Sequence, residues 1–94
     1  MAVNNVKSFS MPLSKVHKFC MCNEGIIKQS KLCGCFYCGR IFSPDEVMDY
    51  MEEHGKKDRT ASCPYCYIDS VIGDASGIEI TEDLLNVMHQ RYFT

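Results

Sequence analysis

Between Ser14 and Ser30 the positions Val16, Phe19, Cys20, Asn23, Ile26 and Ile27 recur at three- and four-residue steps. That is the period of an amphipathic helix, and the spacing predicts one over 14–30 with Ser14 as its N-cap. Gly25 lies inside it at a cost of about 1 kcal/mol relative to alanine. A second helix is expected over 44–54. Ser43-Pro44-Asp45-Glu46 reads as a capping box with proline at the first helical position and acids facing the positive end of the helix dipole. Val47, Tyr50, Met51 and His54 would share its inner face, with Gly55 as the stop. Glu52 and Glu53 sit poorly near its negative end, offset by Lys56 and Lys57.

Lys56-Lys57-Asp58-Arg59 reads as an exposed loop. The β-branched runs Tyr67–Ile72 and Ile78–Ile80 flank Gly73-Asp74-Ala75-Ser76-Gly77, the signal of a hairpin in which Asp74 holds the turn through its side chain. Thr81 caps a last helix whose inner face is Leu84, Leu85, Met88 and Tyr92, with His89 and Arg91 toward its C-terminal end. Residues 1–12 are polar, closed by Pro12, and read as a disordered or ragged end before a single domain over 13–94. No internal repeat and no low-complexity segment interrupts it.

Composition makes this core thin. Of 94 residues 46% are hydrophobic, but seven of those are cysteine, and Leu, Ile, Val and Phe together number 22. A chain of this length buries only roughly 60–65% of its unfolded surface, so a covalent or metal staple would help it. No apolar run reaches membrane-spanning length and Met1–Lys15 has no signal-peptide core, so the expected compartment is the cytoplasm. There, clustered cysteines hold metal more often than they form structural disulfides, and seven is an odd number to pair.

Cys35-Phe36-Tyr37-Cys38-Gly39 and Cys63-Pro64-Tyr65-Cys66 are two C-x₂-C pairs with 24 residues between them. Such a turn aims both sulfurs to one side and leaves the intervening amides free to donate to thiolate. Gly39 supplies the positive φ a knuckle needs. Two knuckles facing each other make an S₄ cage, the geometry of structural Zn²⁺ or of iron. The metal ligands expected are therefore Cys35, Cys38, Cys63 and Cys66, around one structural zinc. Cys33 competes, because Cys33-Gly34-Cys35 is itself a C-x-C. Cys20 and Cys22, with His17, invite the same thought, but on a helix residues two apart point about 200° from each other.

Cys63-Pro64-Tyr65-Cys66 also matches the redox motif of glutaredoxin, whose chemistry needs the first cysteine at a helix N-terminus. The residues that follow read as strand and turn. His17, His54 and His89 sit on expected helices, where lone histidines are usually satisfied or solvated. Asp69 and Asp74 have no partner that would make a catalytic pair. Phe36, Tyr37, Tyr65 and Tyr67 flank the knuckles, where they would shield a metal or stack on bases.

The net charge of −2 conceals a split. Residues 1–43 carry six bases against one acid, Glu24, whereas residues 44–94 carry four bases against eleven acids. The basic half could contact nucleic acid; two solvated faces of one domain are the commoner origin of such a pattern.

The string Ser30-x-x-Cys33-Gly34-Cys35-Phe36-Tyr37-Cys38, then Phe42-x-Pro44-x-Glu46, Cys63-Pro64-Tyr65-Cys66, Ile68-Asp69-Ser70-Val71-Ile72-Gly73-Asp74, Met88-His89 and Phe93 resembles a family of short bacterial cytoplasmic proteins of uncharacterised role. The resemblance runs from about His17 to Phe93. It departs at Tyr50 and Tyr92, near which the family carries tryptophan, and the Cys20/Cys22 pair is not part of the pattern. What it implies is a cytosolic zinc-binding module resembling a zinc ribbon, with no attached activity. The expected fold is α+β: two zinc knuckles, a short β-hairpin and about three helices around a Cys₄ site. The expected role is a structural zinc-binding, non-enzymatic module that binds a protein partner or itself. Nucleic-acid binding is the alternative, and thiol redox chemistry through the Cys63/Cys66 pair a lesser one.

Overall fold

The structure, a computed structural model, describes residues 9–94. Most of the stretch expected to be ragged therefore lies outside the described residues; within it, Phe9 and Met11 pack against the core. The architecture is α+β, with helices α1 (Leu13–Lys18), α2 (Glu24–Gln29) and α3 (Glu82–Phe93). Strands are β1 (Cys33–Cys35), β2 (Ile41–Phe42), β3 (Tyr50–Met51), β4 (Thr60–Ala61) and β5 (Val71–Gly73). They form two antiparallel sheets, β2-β1-β5 and β3-β4. No helix among the described residues is long and apolar enough to cross a membrane.

The β2-β1-β5 sheet divides the interior in two. Strand side chains alternate between faces, so Cys33, Cys35 and Val71 join one cluster with Ile27, Phe42, Val47, Ala61 and Cys63. Ile72 belongs to the other cluster, with Val16, Cys20, Phe36, Ile78, Ile80, Leu84, Leu85 and Met88. Gly34 sits between the two thiols of β1 and faces α3. A Cβ there would lie 2.9 Å from Leu85 Cδ1 and 3.0 Å from Ile80 Cγ2, so any other residue would have to displace these buried side chains. The inner face of α3 is the expected one: Leu84, Leu85 and Met88 are buried, Tyr92 half-buried, and Thr81 Oγ1 accepts from Leu84 N at 3.1 Å.

Three expected elements differ. The helix over 14–30 is two short helices broken at Phe19–Asn23, where Cys22 adopts φ 52°. Val16, Cys20, Asn23 and Ile27 are nevertheless all buried, because the five-residue break returns the chain to the same side. The break is fixed by Asn23, which is fully buried. Its Nδ2 donates to Phe19 O and Val71 O, both at 2.8 Å, and its Oδ1 accepts from Ala61 N at 3.0 Å. One amide side chain thus joins the end of α1 to β5 and β4, a tertiary gain that outweighs helical continuity.

The helix over 44–54 is a single 3₁₀ turn, Pro44–Glu46. Its capping box forms as expected, with Ser43 Oγ accepting from Asp45 N and Glu46 Oε2 accepting from Ser43 N. The chain then extends and Tyr50–Met51 pairs with Thr60–Ala61, leaving Met51 and His54 exposed. A good start signal cannot propagate a helix when the following segment gains more from a strand ladder anchored by Asn23.

The hairpin joining Tyr67–Ile72 to Ile78–Ile80 is likewise replaced. Val71–Gly73 pairs with β1 instead, and Ile78 and Ile80 pack into the helical-side core without a ladder. The intervening residues form a 3₁₀ turn, Asp74–Ser76, ending at Gly77 with φ 102°. Asp74 reaches across to Lys31, whose amide donates to Oδ1 at 2.8 Å. Gly73 is needed for close approach here too, since an added Cβ would meet Ser30 Oγ at 2.3 Å, a hydroxyl already donating to Ile26 O and accepting from Ala75 N.

Replacing Asn23 by alanine leaves three backbone groups without partners in a dry site. The expected cost is about 3 kcal/mol, read as a lowered denaturant midpoint with an unchanged slope. Asn23→Leu should do no better, because volume is restored and the hydrogen bonds are not.

Glu24 provides a second test. Arg59 grips its carboxylate bidentately, at 2.8 and 2.7 Å, and Lys28 adds a contact at 2.8 Å. The Arg59 and then the Lys28 hydrogen bonds hold the carboxyl well below the usual carboxylate range. A folded value below the unfolded one stabilises above that range, and the stabilisation is lost as pH falls through it toward the folded value. The stability gap between wild type and Glu24→Gln should therefore close on acidification, as urea midpoints across a pH series would show.

Candidate metal centre

Each C-x₂-C segment folds into the same turn. In the first, Gly39 N donates to Cys35 O at 2.8 Å and Cys35 N to Arg40 O at 3.0 Å. In the second, Tyr67 N donates to Cys63 O at 3.0 Å and Cys63 N to Ile68 O at 3.0 Å. The register makes Tyr67 the counterpart of Gly39, and both are left-handed, with φ 82° at Gly39 and 67° at Tyr67. Glycine takes that conformation freely; for a side chain with a Cβ it costs about 1–2 kcal/mol. The second knuckle therefore stores strain that the first does not.

The two turns face each other, and the sulfurs of Cys35, Cys38, Cys63 and Cys66 all lie within 4.8 Å of one another. Cys35 Sγ is 3.7 Å from Cys66 Sγ, and Cys38 Sγ is 3.7 Å from Cys63 Sγ. A tetrahedron with metal–sulfur bonds of about 2.3 Å has edges of about 3.8 Å. The cage thus has the dimensions for one tetrahedral ion. Four sulfur donors leave no protein-free position, and soft thiolates match Zn²⁺ or iron rather than Mg²⁺ or Ca²⁺.

Amides point inward as knuckle geometry requires. Tyr65 N and Cys66 N donate to Cys63 Sγ at 3.3 and 3.4 Å. Burial raises the Cys63 thiol, but these amides, with hydrogen bonds from the Cys66 and Cys38 side chains, outweigh it and bring it below its ordinary value. Burial keeps Cys35 and Cys66 raised. The four ligands come from separated segments: Cys35 ends β1, Cys38 follows in an exposed turn, and Cys63 and Cys66 lie between β4 and β5. Helix α3 clamps the first knuckle, where His89 Nδ1 lies 3.0 Å from Phe36 O. A carbonyl can only accept, so that nitrogen carries the proton. The second knuckle is held by the Tyr65 hydroxyl, which donates to Glu46, and by Arg40 stacked 4.7 Å above the Tyr65 ring.

The competing thiols stay outside the four-sulfur cluster. Cys33 shares the face of Cys35 but is sealed in the core, and burial pushes its thiol up to about 12. Cys20 lies in the opposite cluster, also raised by burial, to about 11. Cys22 is not helical, so the two cysteines are not separated by helix geometry as expected; its amide donates to Thr60 Oγ1 at 2.8 Å. His17 stacks on Tyr92 with ring centroids 4.1 Å apart, and His54 is exposed. No helix begins at Cys63 among the described residues, so the dipole that activates a glutaredoxin-type cysteine is missing. Of the four flanking aromatics only Phe36 is buried; Tyr37, Tyr65 and Tyr67 are exposed. Asn23 and Tyr67 were not singled out by the sequence for these roles. Tyr67 was legible in principle, as the residue standing where the first knuckle has glycine.

Searches of protein-family models, of curated proteins and of solved structures return no match to this chain.

Cys38→Ser should lose metal during desalting against a weak chelator, whereas Cys22→Ser should keep it. In the metal-loaded protein a thiol alkylating agent should modify half-exposed Cys22 and spare buried Cys20 and Cys33, as peptide mass mapping would read.

Proposed function

We propose that this chain is a structural zinc-binding module resembling a zinc ribbon, cytoplasmic and without catalytic activity, that works by binding another protein. One observation carries the reading: four cysteine sulfurs from two knuckles converge within 4.8 Å. Zinc is favoured among tetrahedral thiophiles because a closed four-cysteine shell is its usual structural site. A closed S₄ shell offers no open position for water or substrate, so the metal's contribution is to folding. Where the unfolded chain has no site, binding free energy becomes folding free energy.

Nucleic acid is the weaker alternative. Among the six bases of the first 43 residues, Lys28 is engaged by Glu24 and Arg40 by the Tyr65 ring. Useful non-specific binding needs several free bases on one face. Protein contact needs apolar anchors, and exposed Tyr37, Met48, Tyr65 and Tyr67 supply candidates near the knuckles.

Elemental analysis of protein purified without added metal should find one zinc per chain, and a strong chelator should unfold it cooperatively, read by loss of far-ultraviolet circular dichroism. Two equivalents, or none, would overturn the single-site reading. A coloured iron centre would keep the ligands and replace the metal.

A further inference from the structure

Tyr67 is a bulky residue in the left-handed region, at a position whose twin in the other knuckle is Gly39. Strain of this kind persists when something repays it. No side-chain hydrogen bond or ring stack within the chain does: Tyr67 is 69% exposed, and among the described residues its hydroxyl has no hydrogen bond and its ring no aromatic or cationic partner. Tyr65, two residues earlier, is tied to Glu46, Arg40 and Phe42. The free ring of Tyr67 lines a groove of about 180 Å³ together with Met48, Pro64, Glu46 and Asp49. Met48 is the most exposed large apolar residue described, at 80%. The groove also reaches Cys63, so it abuts the sulfur cage.

We propose that Tyr67 and Met48 form the two apolar jaws of a peptide-binding groove that takes an apolar side chain flanked by lysine or arginine on a protein partner. The inference rests on the protein-binding reading above and assigns it a surface. The charge requirement follows from the walls. Glu46 and Asp49 are exposed acids lining the groove, and four thiolates around a divalent ion add further negative charge beside it. A second copy of this chain fits less well, since an isologous contact would set the same acids against each other. An acidic peptide is repelled for the same reason.

The test uses metal-loaded protein and two fluorescent pentapeptides, one alternating lysine with leucine and phenylalanine, the other carrying glutamate in place of lysine. Anisotropy at moderate salt should show binding of the lysine peptide, at least tenfold weaker for the glutamate peptide. Tyr67→Gly changes no charge and relieves the strained turn. It should retain the metal and unfold at a denaturant midpoint no lower than wild type, yet weaken the lysine peptide at least tenfold; Met48→Ser should weaken it similarly. Equal binding of both peptides, no binding of the lysine peptide, or unchanged binding by Tyr67→Gly would each overturn the groove. So would a lowered stability of Tyr67→Gly, which would mean that the ring serves the fold. Concentration-dependent dimerisation abolished by Tyr67→Gly would overturn the basic partner in favour of self-association. Metal content measured on the same samples separates the two readings. Metal-free protein with Tyr67-dependent binding keeps the groove and removes the zinc module, and metal-loaded protein without it does the reverse.

Discussion

Four sulfurs held within 4.8 Å of one another impose the central constraint on this fold. Ionised together they would repel strongly in a partly dry environment, and protonated together they would leave inward-pointing amides with poor acceptors. A cation resolves both demands. The cage is continuous with the core cluster on the cysteine side of the sheet, because Cys35 and Cys63 pack among Ile27, Phe42, Val47, Ala61 and Val71. That cluster has few large side chains, and the knuckles complete it. In a chain this short a metal held there would replace apolar area that the sequence lacks with metal–sulfur bonds.

Strand β1 lets one segment serve both halves of the molecule. Cys33 and Cys35 project toward the knuckle side, while Gly34 exposes bare backbone to Leu85 and Ile80 of the helical side. A larger residue at 34 would crowd Leu85, on the helix whose His89 contacts the Phe36 carbonyl. The residue after Cys35 then crosses over: Phe36 is buried among α1 and α3 side chains, so the first knuckle is anchored in the helical core while its sulfurs face the cage. The geometry of the sulfur cage and helix packing are thereby joined through three consecutive residues, Gly34, Cys35 and Phe36.

What could be read from the sequence was what local chemistry decides. The two knuckles follow from C-x₂-C spacing, and α3 follows from Thr81 and a continuous apolar face, because neither depends on distant partners. The burial of Val16, Cys20, Asn23 and Ile27 was also legible, although the helix carrying them was not continuous. The misread segments share one cause: a long-range partner prevailed over a sound local signal. The capping box at Ser43 forms and is then overruled by pairing with Thr60–Ala61. Val71–Gly73 finds β1, some 38 residues away in sequence, rather than the nearby Ile78–Ile80. Periodicity cannot foresee that an asparagine on an apolar stripe will bridge three segments, since its position in the pattern is the same in a helix or in a turn.

The two knuckles are alike in backbone and opposite in setting. The first is roofed by α3 and ends in glycine, which costs the turn nothing. In the second, Tyr65 is tied to Glu46, Arg40 and Phe42, and the turn ends in a tyrosine whose side chain has no hydrogen bond or ring partner among the described residues. The turn hydrogen bonds from Tyr67 N to Cys63 O and from Cys63 N to Ile68 O orient the same turn that presents two of the four sulfurs. The left-handed turn at Tyr67 is therefore closed by the same backbone hydrogen bonds that orient half of the cage.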